Sequence, residues 1–205
     1  MSGLWLPLFP LQVVLFPGMS LPLHIFEPRY RLMIRTCLER KEEFGVVLAR
    51  RKGMAQIGCT AKILHISREF PDGRFDILTL GRRRFRIGAL SDELPYLQAE
   101  GDFFAEGTGP EPAPTEINQL VQLWPEAYRL ATGETHPPEQ PPEFGSLSYF
   151  IAATLPFELE TRQEVLEAEP EALRLRLLTE RLSTWLPRLR RLAHVKKRAA
   201  GNGRG

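Results

Sequence analysis

The hydrophobic pattern changes period close to the start of the chain. From Leu6 to Ile34 five prolines (Pro7, Pro10, Pro17, Pro22 and Pro28) punctuate apolar, strand-like runs. Proline has no N–H to give to a central ladder, so these runs predict edge strands and turns. Pro17-Gly18 fits the two central positions of a type II turn, where glycine supplies the positive φ. At Pro28 the spacing becomes helical: Tyr30, Met33, Ile34, Cys37 and Leu38 share one face of a helix with proline at its first position. Glu27, just before it, is the candidate N-cap. Phe44 to Ala49 predicts a short apolar strand. Ile57 to Phe70 and Arg74 to Ile87 flank the turn signal Pro71-Asp72-Gly73, which predicts a β-hairpin. Tyr96 to Phe104 alternates Leu97, Ala99, Gly101 and Phe103 with Gln98, Glu100 and Asp102, as a half-buried strand does.

Residues 1–106 therefore read as mainly β. Gly107 to Pro114, rich in glycine and proline, reads as a linker, and residues 115–198 read as helical. Ile117, Leu120, Val121, Trp124 and Tyr128 form an apolar stripe that Pro125 is expected to kink or split. Thr132 to Glu143 holds four prolines and reads as a second exposed connection. Ser146 can cap a short helix ending near Leu155-Pro156. Thr161 and Glu164 match a capping box for the next, and Pro170 sits where the last helix should start. There Leu175, Leu178, Leu182, Trp185, Leu189 and Leu192 alternate spacings of three and four, a core-facing seam. Pro187 is expected to bend this helix near Ser183. Residues 199–205 read as a frayed, disordered tail.

Composition adds little to this picture. The chain has 205 residues, 43% of them hydrophobic and 25% charged, with a net charge of +2, which describes an ordinary globular protein. Its apolar stretches are broken by proline and too short to span a bilayer, and the N-terminus lacks a basic n-region. Cys37 and Cys59 are the only cysteines. They offer neither a disulfide framework nor a zinc site, and two buried thiols suit a reducing cytoplasm. Glutamates crowd Glu158 to Glu171 and bases crowd Arg188 to Arg198, a distribution that helix electrostatics explains.

Candidate chemistry is sparse. His24, His65, His136 and His194 lie far apart, none with a metal-type partner at i+2 or i+4, so no metal, cofactor or catalytic residue is expected. The sharpest charged feature is Arg82-Arg83-Arg84-Phe85-Arg86. On a regular strand Arg82, Arg84 and Arg86 would point one way, about 6.6 Å apart, and form an anion-binding row. The alternative is a solvated face paired with Asp76, Asp92 or Glu93. Arg83, on the apolar side, would need a buried acceptor.

Three blocks carry a family resemblance. Pro22-Leu-His-Ile-Phe-Glu-Pro-Arg-Tyr30, with the strand–turn–strand before it, resembles the amino-terminal domain of ATP-dependent Lon proteases, especially its stand-alone and RING-linked versions. Ile57-Gly-Cys-Thr-Ala-Lys-Ile-Leu-His65 through Gly81-Arg-Arg-Arg-Phe-Arg86 continues it, and Phe150-Ile-Ala-Ala-Thr-Leu-Pro-Phe157 is similar to the family's helical subdomain. The resemblance implies an α+β fold, a curved β-sheet pseudo-barrel of the PUA-like type followed by a helical bundle. It also implies recognition of unfolded or hydrophobic polypeptide segments, with an adaptor role beside a separate protease or chaperone. Met19, Leu21, Phe26 and Tyr30 are the candidate contact residues. No Gly-Lys dipeptide occurs, so the P-loop is missing and the family's protease domain has no counterpart in the sequence; neither ATPase nor peptidase activity is expected. PUA-like folds include RNA binders, so an RNA-binding module using Arg82, Arg84 and Arg86 is the alternative.

Overall fold

The computed structural model describes residues 4–105, 107 and 109–201. Six strands and a first helix come first in the chain: β1 (Leu4–Leu11), β2 (Ser20–Ile25), α1 (Pro28–Arg40), β3 (Phe44–Leu48), β4 (Ile57–Glu69), β5 (Phe75–Ser91) and β6 (Gln98–Phe103). Four helices follow: α2 (Pro114–Thr132), α3 (Leu147–Thr154), α4 (Leu159–Glu167) and α5 (Glu171–Gly201). The sheet order is β2-β5-β4-β3-β1-β6, and β6 also pairs with β5. That second pairing closes β5, β4, β3, β1 and β6 into a five-stranded barrel. Only β1 and β3 run parallel.

Alternation along each strand separates two apolar cores. Leu6, Leu8, Val47, Phe85, Ile87 and Ala99 fill the barrel. Phe85 lies so close to β3 and β4 that a Cβ on Gly45 would meet its ring at 2.5 Å and one on Gly58 at 3.0 Å. The opposite faces of the same strands, through Phe9, Val46 and Cys59, join a larger core shared with α1 and the helices. Phe9 stacks on Tyr30 with ring centroids 4.1 Å apart, and Phe16 stacks on Tyr149 at 5.5 Å. This larger core thus runs from α1 over the outer faces of the barrel strands into the helical bundle.

Several sequence expectations meet local corrections. Glu27 is the residue before α1, but its side chain bonds Arg29 Nε at 2.9 Å and caps nothing. Ser146 caps α3 by accepting from Tyr149 N–H. The capping box at Thr161 does not form; α4 starts three residues earlier, with Glu158 in the N-cap position, and Thr161 lies inside it. Pro125 does not split α2, and α5 also runs through Pro187. The carbonyls that lose a donor belong to Val121 and Ser183, both exposed, where solvent can replace it. On α5, Leu175, Leu178, Leu182 and Leu189 are buried, whereas Leu192 is exposed. Of the expected frayed tail, the α5 backbone extends to Gly201 and residues 202–205 lie outside the described residues.

Candidate functional site

β2 is an edge strand. It pairs along one side with β5, from Ser20↔Leu80 to Ile25↔Phe75, and with no other described strand. Its inward residues Leu21 and Ile25 are buried, while Ser20, Pro22 and His24 are exposed on the outer face. Rows of cross-strand neighbours cover that face: Pro22, Leu78 and His65 in one, His24, Asp76 and Arg68 in the next. His24 Nδ1 and Asp76 Oδ1 lie 2.5 Å apart. The imidazole also stacks on Phe26, with centroids 5.9 Å apart, and meets Phe70 edge-on at 5.6 Å. Arg68 and Arg74 place guanidiniums over the Phe70 ring at 4.6 and 5.3 Å. The result is a small aromatic group ringed by charge where β2 passes into α1.

The four polypeptide-contact candidates fall in different environments. Phe26 is 58% exposed and belongs to the aromatic group. Met19, just before β2, is half-buried. Leu21 and Tyr30 are interior, and burial pushes the Tyr30 hydroxyl pKa above its ordinary value. The His24–Asp76 pair had no signal in the sequence, because its partners are 52 residues apart.

The arginine row is broken by a β-bulge. Cys59 pairs with Arg84 and Ala61 with Gly81, so Thr60 alone faces both Arg82 and Arg83. The Thr60 hydroxyl accepts from Arg83 N–H at 3.1 Å and donates to Glu43 at 2.6 Å. The extra residue resets the alternation. Arg82 and Arg86 stay exposed, but Arg84 turns into the interior, where it is 1% exposed. Three guanidiniums therefore do not share a surface. Nor is Arg83 buried; it is exposed, with its guanidinium 4.2 Å over the Phe103 ring.

Arg84 instead helps build a joint between barrel and bundle. It pairs with Glu169 and donates from Nη1 to the Leu166 carbonyl at 3.0 Å. Arg174 reaches the same place from α5, donating to the Ala168 carbonyl at 3.0 Å, to Ser148 Oγ at 2.9 Å and to Glu171 at 2.6 Å. Leu166 and Ala168 end α4, whose last turn has no basic residue of its own. Arg84, distant in sequence, and Arg174, six residues past Ala168, thus serve its unpaired carbonyls and its negative dipole end. Desolvation pushes the Glu171 pKa up. Hydrogen bonds from the Ser146 hydroxyl and Ser148 N–H, with the Arg174 charge, outweigh that and hold it below the ordinary value. Beside the joint a cleft of about 660 Å³ is lined by Arg82, Gly18, Gly109, Glu143 and Tyr149 among others. Its buried cations already have protein partners.

Among the described residues no group of three His, Cys, Asp or Glu is placed to hold a metal ion, and no helix is long and apolar enough to cross a membrane. Cys37 and Cys59 are buried free thiols. Burial pushes the Cys37 pKa up to about 12, so this thiol stays neutral and unreactive.

This arrangement matches known proteins along most of its length. The family model of the ATP-dependent protease La (LON) substrate-binding domain fits residues 5–184. Lon protease 2 of Myxococcus xanthus is 30% identical, over 87% of this chain and 23% of its own length. The Lon protease of Escherichia coli K12 is 25% identical, over 79% of this chain and 22% of its own. The chain thus spans under a quarter of these relatives. A Lon N-terminal domain protein from Xanthomonas campestris has a similar fold, with a TM-score of 0.65 at 24% identity, covering 90% of this chain and 99% of that one. The N-terminal domain of the Mycobacterium avium complex Lon protease gives 0.61 at 18% identity, covering 87% and 98%. What is matched in the relatives is the substrate-binding region, and the chain belongs to the family of ATP-dependent protease La (Lon) substrate-binding domains.

Proposed function

We propose that the chain is a non-catalytic module that recognises unfolded or hydrophobic polypeptide segments, acting as an adaptor in proteolysis or quality control beside a separate protease or chaperone. The observation that carries this reading is the aromatic group at the end of an edge strand, in which Phe26 and His24 are exposed and Phe70 is half-buried. An extended segment adding to the free side of β2 would gain backbone hydrogen bonds and place alternate apolar side chains against these rings. A folded protein has few such strands to spare, which gives the preference for unfolded clients. The neutral, buried thiol of Cys37 fits work in a reducing cytoplasm.

RNA binding draws less support. Its motive was a row of three arginines, and one of them is interior and paired with Glu169. The test sets a denatured client against its native form and against single-stranded RNA. The denatured client should bind better than the native one, with weak dependence on salt and with about tenfold loss on Phe26→Ser, the order expected for one exposed aromatic contact. RNA binding through about three phosphates would instead follow salt with a log–log slope near −2. Tight, salt-sensitive RNA binding lost on replacing Arg82, Arg83 and Arg86, with no preference for unfolded protein, would overturn the reading.

A further inference from the structure

Three arginines enter the space between barrel and helices, and they are not partnered alike. Arg84 has the Glu169 carboxylate and the Leu166 carbonyl. Arg174 has the Glu171 carboxylate, Ser148 and the Ala168 carbonyl. Arg162, on α4, has no carboxylate among the described residues. Its Nη2 makes two long contacts, 3.4 Å to the Val14 carbonyl and 3.5 Å to Met19 Sδ, and its guanidinium lies 5.2 Å over the Phe16 ring. Its Nε is buried with no hydrogen-bond partner. Burial pushes its pKa down, and no carboxylate opposes that. A desolvated guanidinium without counter-charge is unfavourable, and a buried donor left unmade calls for an explanation.

The surroundings suggest one. Arg162 as a residue is half-buried, so part of it remains reachable from solvent. Met19, which it touches, is a half-buried apolar residue, as is Leu159, three positions earlier on the same helix face. Met19 immediately precedes β2 and Phe26 immediately follows it. A six-residue strand is about 20 Å long, so the lone cation and the exposed aromatic group mark the two ends of one edge strand.

Resting on the polypeptide-recognition reading above, we propose that Arg162 is the carboxylate-recognising residue of that site. It would hold an acidic side chain or the free C-terminus of a segment laid along β2, whose apolar residue, about seven positions away and so on the opposite face of the segment, meets Phe26. A single cation set between Met19 and Leu159 suits a carboxylate. A phosphate, carrying up to two charges, would need more cations than this.

The test uses the full chain and short fluorescein-labelled peptides that share one aromatic residue. About seven residues beyond it they carry a free C-terminal carboxylate, an internal Glu with an amidated end, or Gln with an amidated end. Either carboxylate peptide should bind about tenfold more tightly than the Gln amide, the order of a charge-assisted hydrogen bond. Preference for the free terminus alone assigns the ligand to chain ends; preference for both assigns it to carboxylates in general. The preference should vanish in Arg162→Met and partly survive in Arg162→Lys. Because no protein carboxylate loses its partner, Arg162→Met should melt no lower than the parent. Equal binding of all three peptides by the parent chain, a preference that survives Arg162→Met, or a large fall in melting temperature would each overturn the inference. If the peptides bind but ignore the carboxylate, polypeptide recognition stands and this inference falls. If none binds, both fall.

Discussion

Arg84 shows why a residue's neighbours in sequence say little about its partner. The run of basic residues is plain in the sequence, but the direction of each depends on one extra residue opposite Thr60, which no composition reveals. Its acceptor, Glu169, comes 85 positions later. The Arg84 side chain is 2% exposed and that of Glu169 is 44% exposed, so the two halves of this pair should not matter equally. Arg84→Ala leaves the Leu166 carbonyl without its donor and opens a void, and should destabilise by about 3 kcal/mol. Glu169→Gln leaves a buried cation that water can partly reach through the exposed partner, and should destabilise by about 1–2 kcal/mol. Urea midpoints of the two variants check the order. Glu171 gives a pH signature. Its carboxyl pKa is lower in the folded chain than its ordinary 4.5, so the native state binds this proton less readily than the unfolded one. The stabilisation is present above about pH 4.5 and is lost as pH falls through the folded value. Glu171→Gln should therefore be less stable than the parent at neutral pH, and the gap should narrow on acidification. A gap that stays constant from pH 7 to about pH 3 would show that the carboxylate is not the source.

At the scale of elements, what was legible is what local spacing controls. The Pro71-Asp72-Gly73 hairpin, the helix after Pro28 and the α5 seam each follow from period and turn chemistry within a few residues. What was not legible needs a partner strand or helix in place: the bulge at Arg82-Arg83, the start of α4 set by tertiary seating and not by Thr161, and the survival of α2 through Pro125. Of the contact candidates only Phe26 is exposed; the alternation of β2 sets it apart from Leu21, but which side of the strand meets the core, and that Tyr30 is interior, is decided only once α1 is docked. The barrel itself rests on Gly45 and Gly58, where Phe85 occupies the space that side chains would take. A Cβ at Gly45 meets only side chains, Phe85 at 2.5 Å, Leu6 at 2.8 Å and Leu8 at 3.0 Å, whereas at Gly58 it meets the Val46 carbonyl at 2.5 Å. Both alanine variants should destabilise, by about 1–3 kcal/mol. Trimming the plug with Phe85→Leu should rescue Gly45→Ala and leave Gly58→Ala unrescued, because backbone cannot give way as a ring can. A double-mutant cycle in urea reads this as strong coupling for the first pair and weak coupling for the second.

On the whole-molecule scale, the composition shift near Gly107 to Pro114 suggests two units, whereas the packing joins them. Phe16, from the loop before β2, stacks on Tyr149 of α3; Gln163 of α4 donates to the Ile57 carbonyl of β4 at 2.9 Å; and Arg84 and Arg174 meet at the end of α4. A core shared in this way couples the unfolding of its parts. We expect limited proteolysis to cut first in Gly107 to Pro114 or Thr132 to Glu143, whose described residues carry little regular structure. The nicked fragments should then stay together under native conditions, because Trp124 of α2 packs on Phe150 of α3 across the second segment, with ring centroids 5.4 Å apart, and donates from Nε1 to Thr154 Oγ1 at 3.1 Å. Unfolding provides the sharper measure. Far-ultraviolet circular dichroism follows all strands and helices, while tryptophan fluorescence is weighted towards Trp124 and Trp185 in the bundle, with Trp5 46% exposed on the barrel. One cooperative unit requires the two transitions to coincide in urea, with a single slope set by the surface of the entire chain. A fluorescence transition displaced from the dichroism transition, or early release of a β-rich fragment after nicking, would show that barrel and bundle fold independently and that the joint at α4 is only an interface between them.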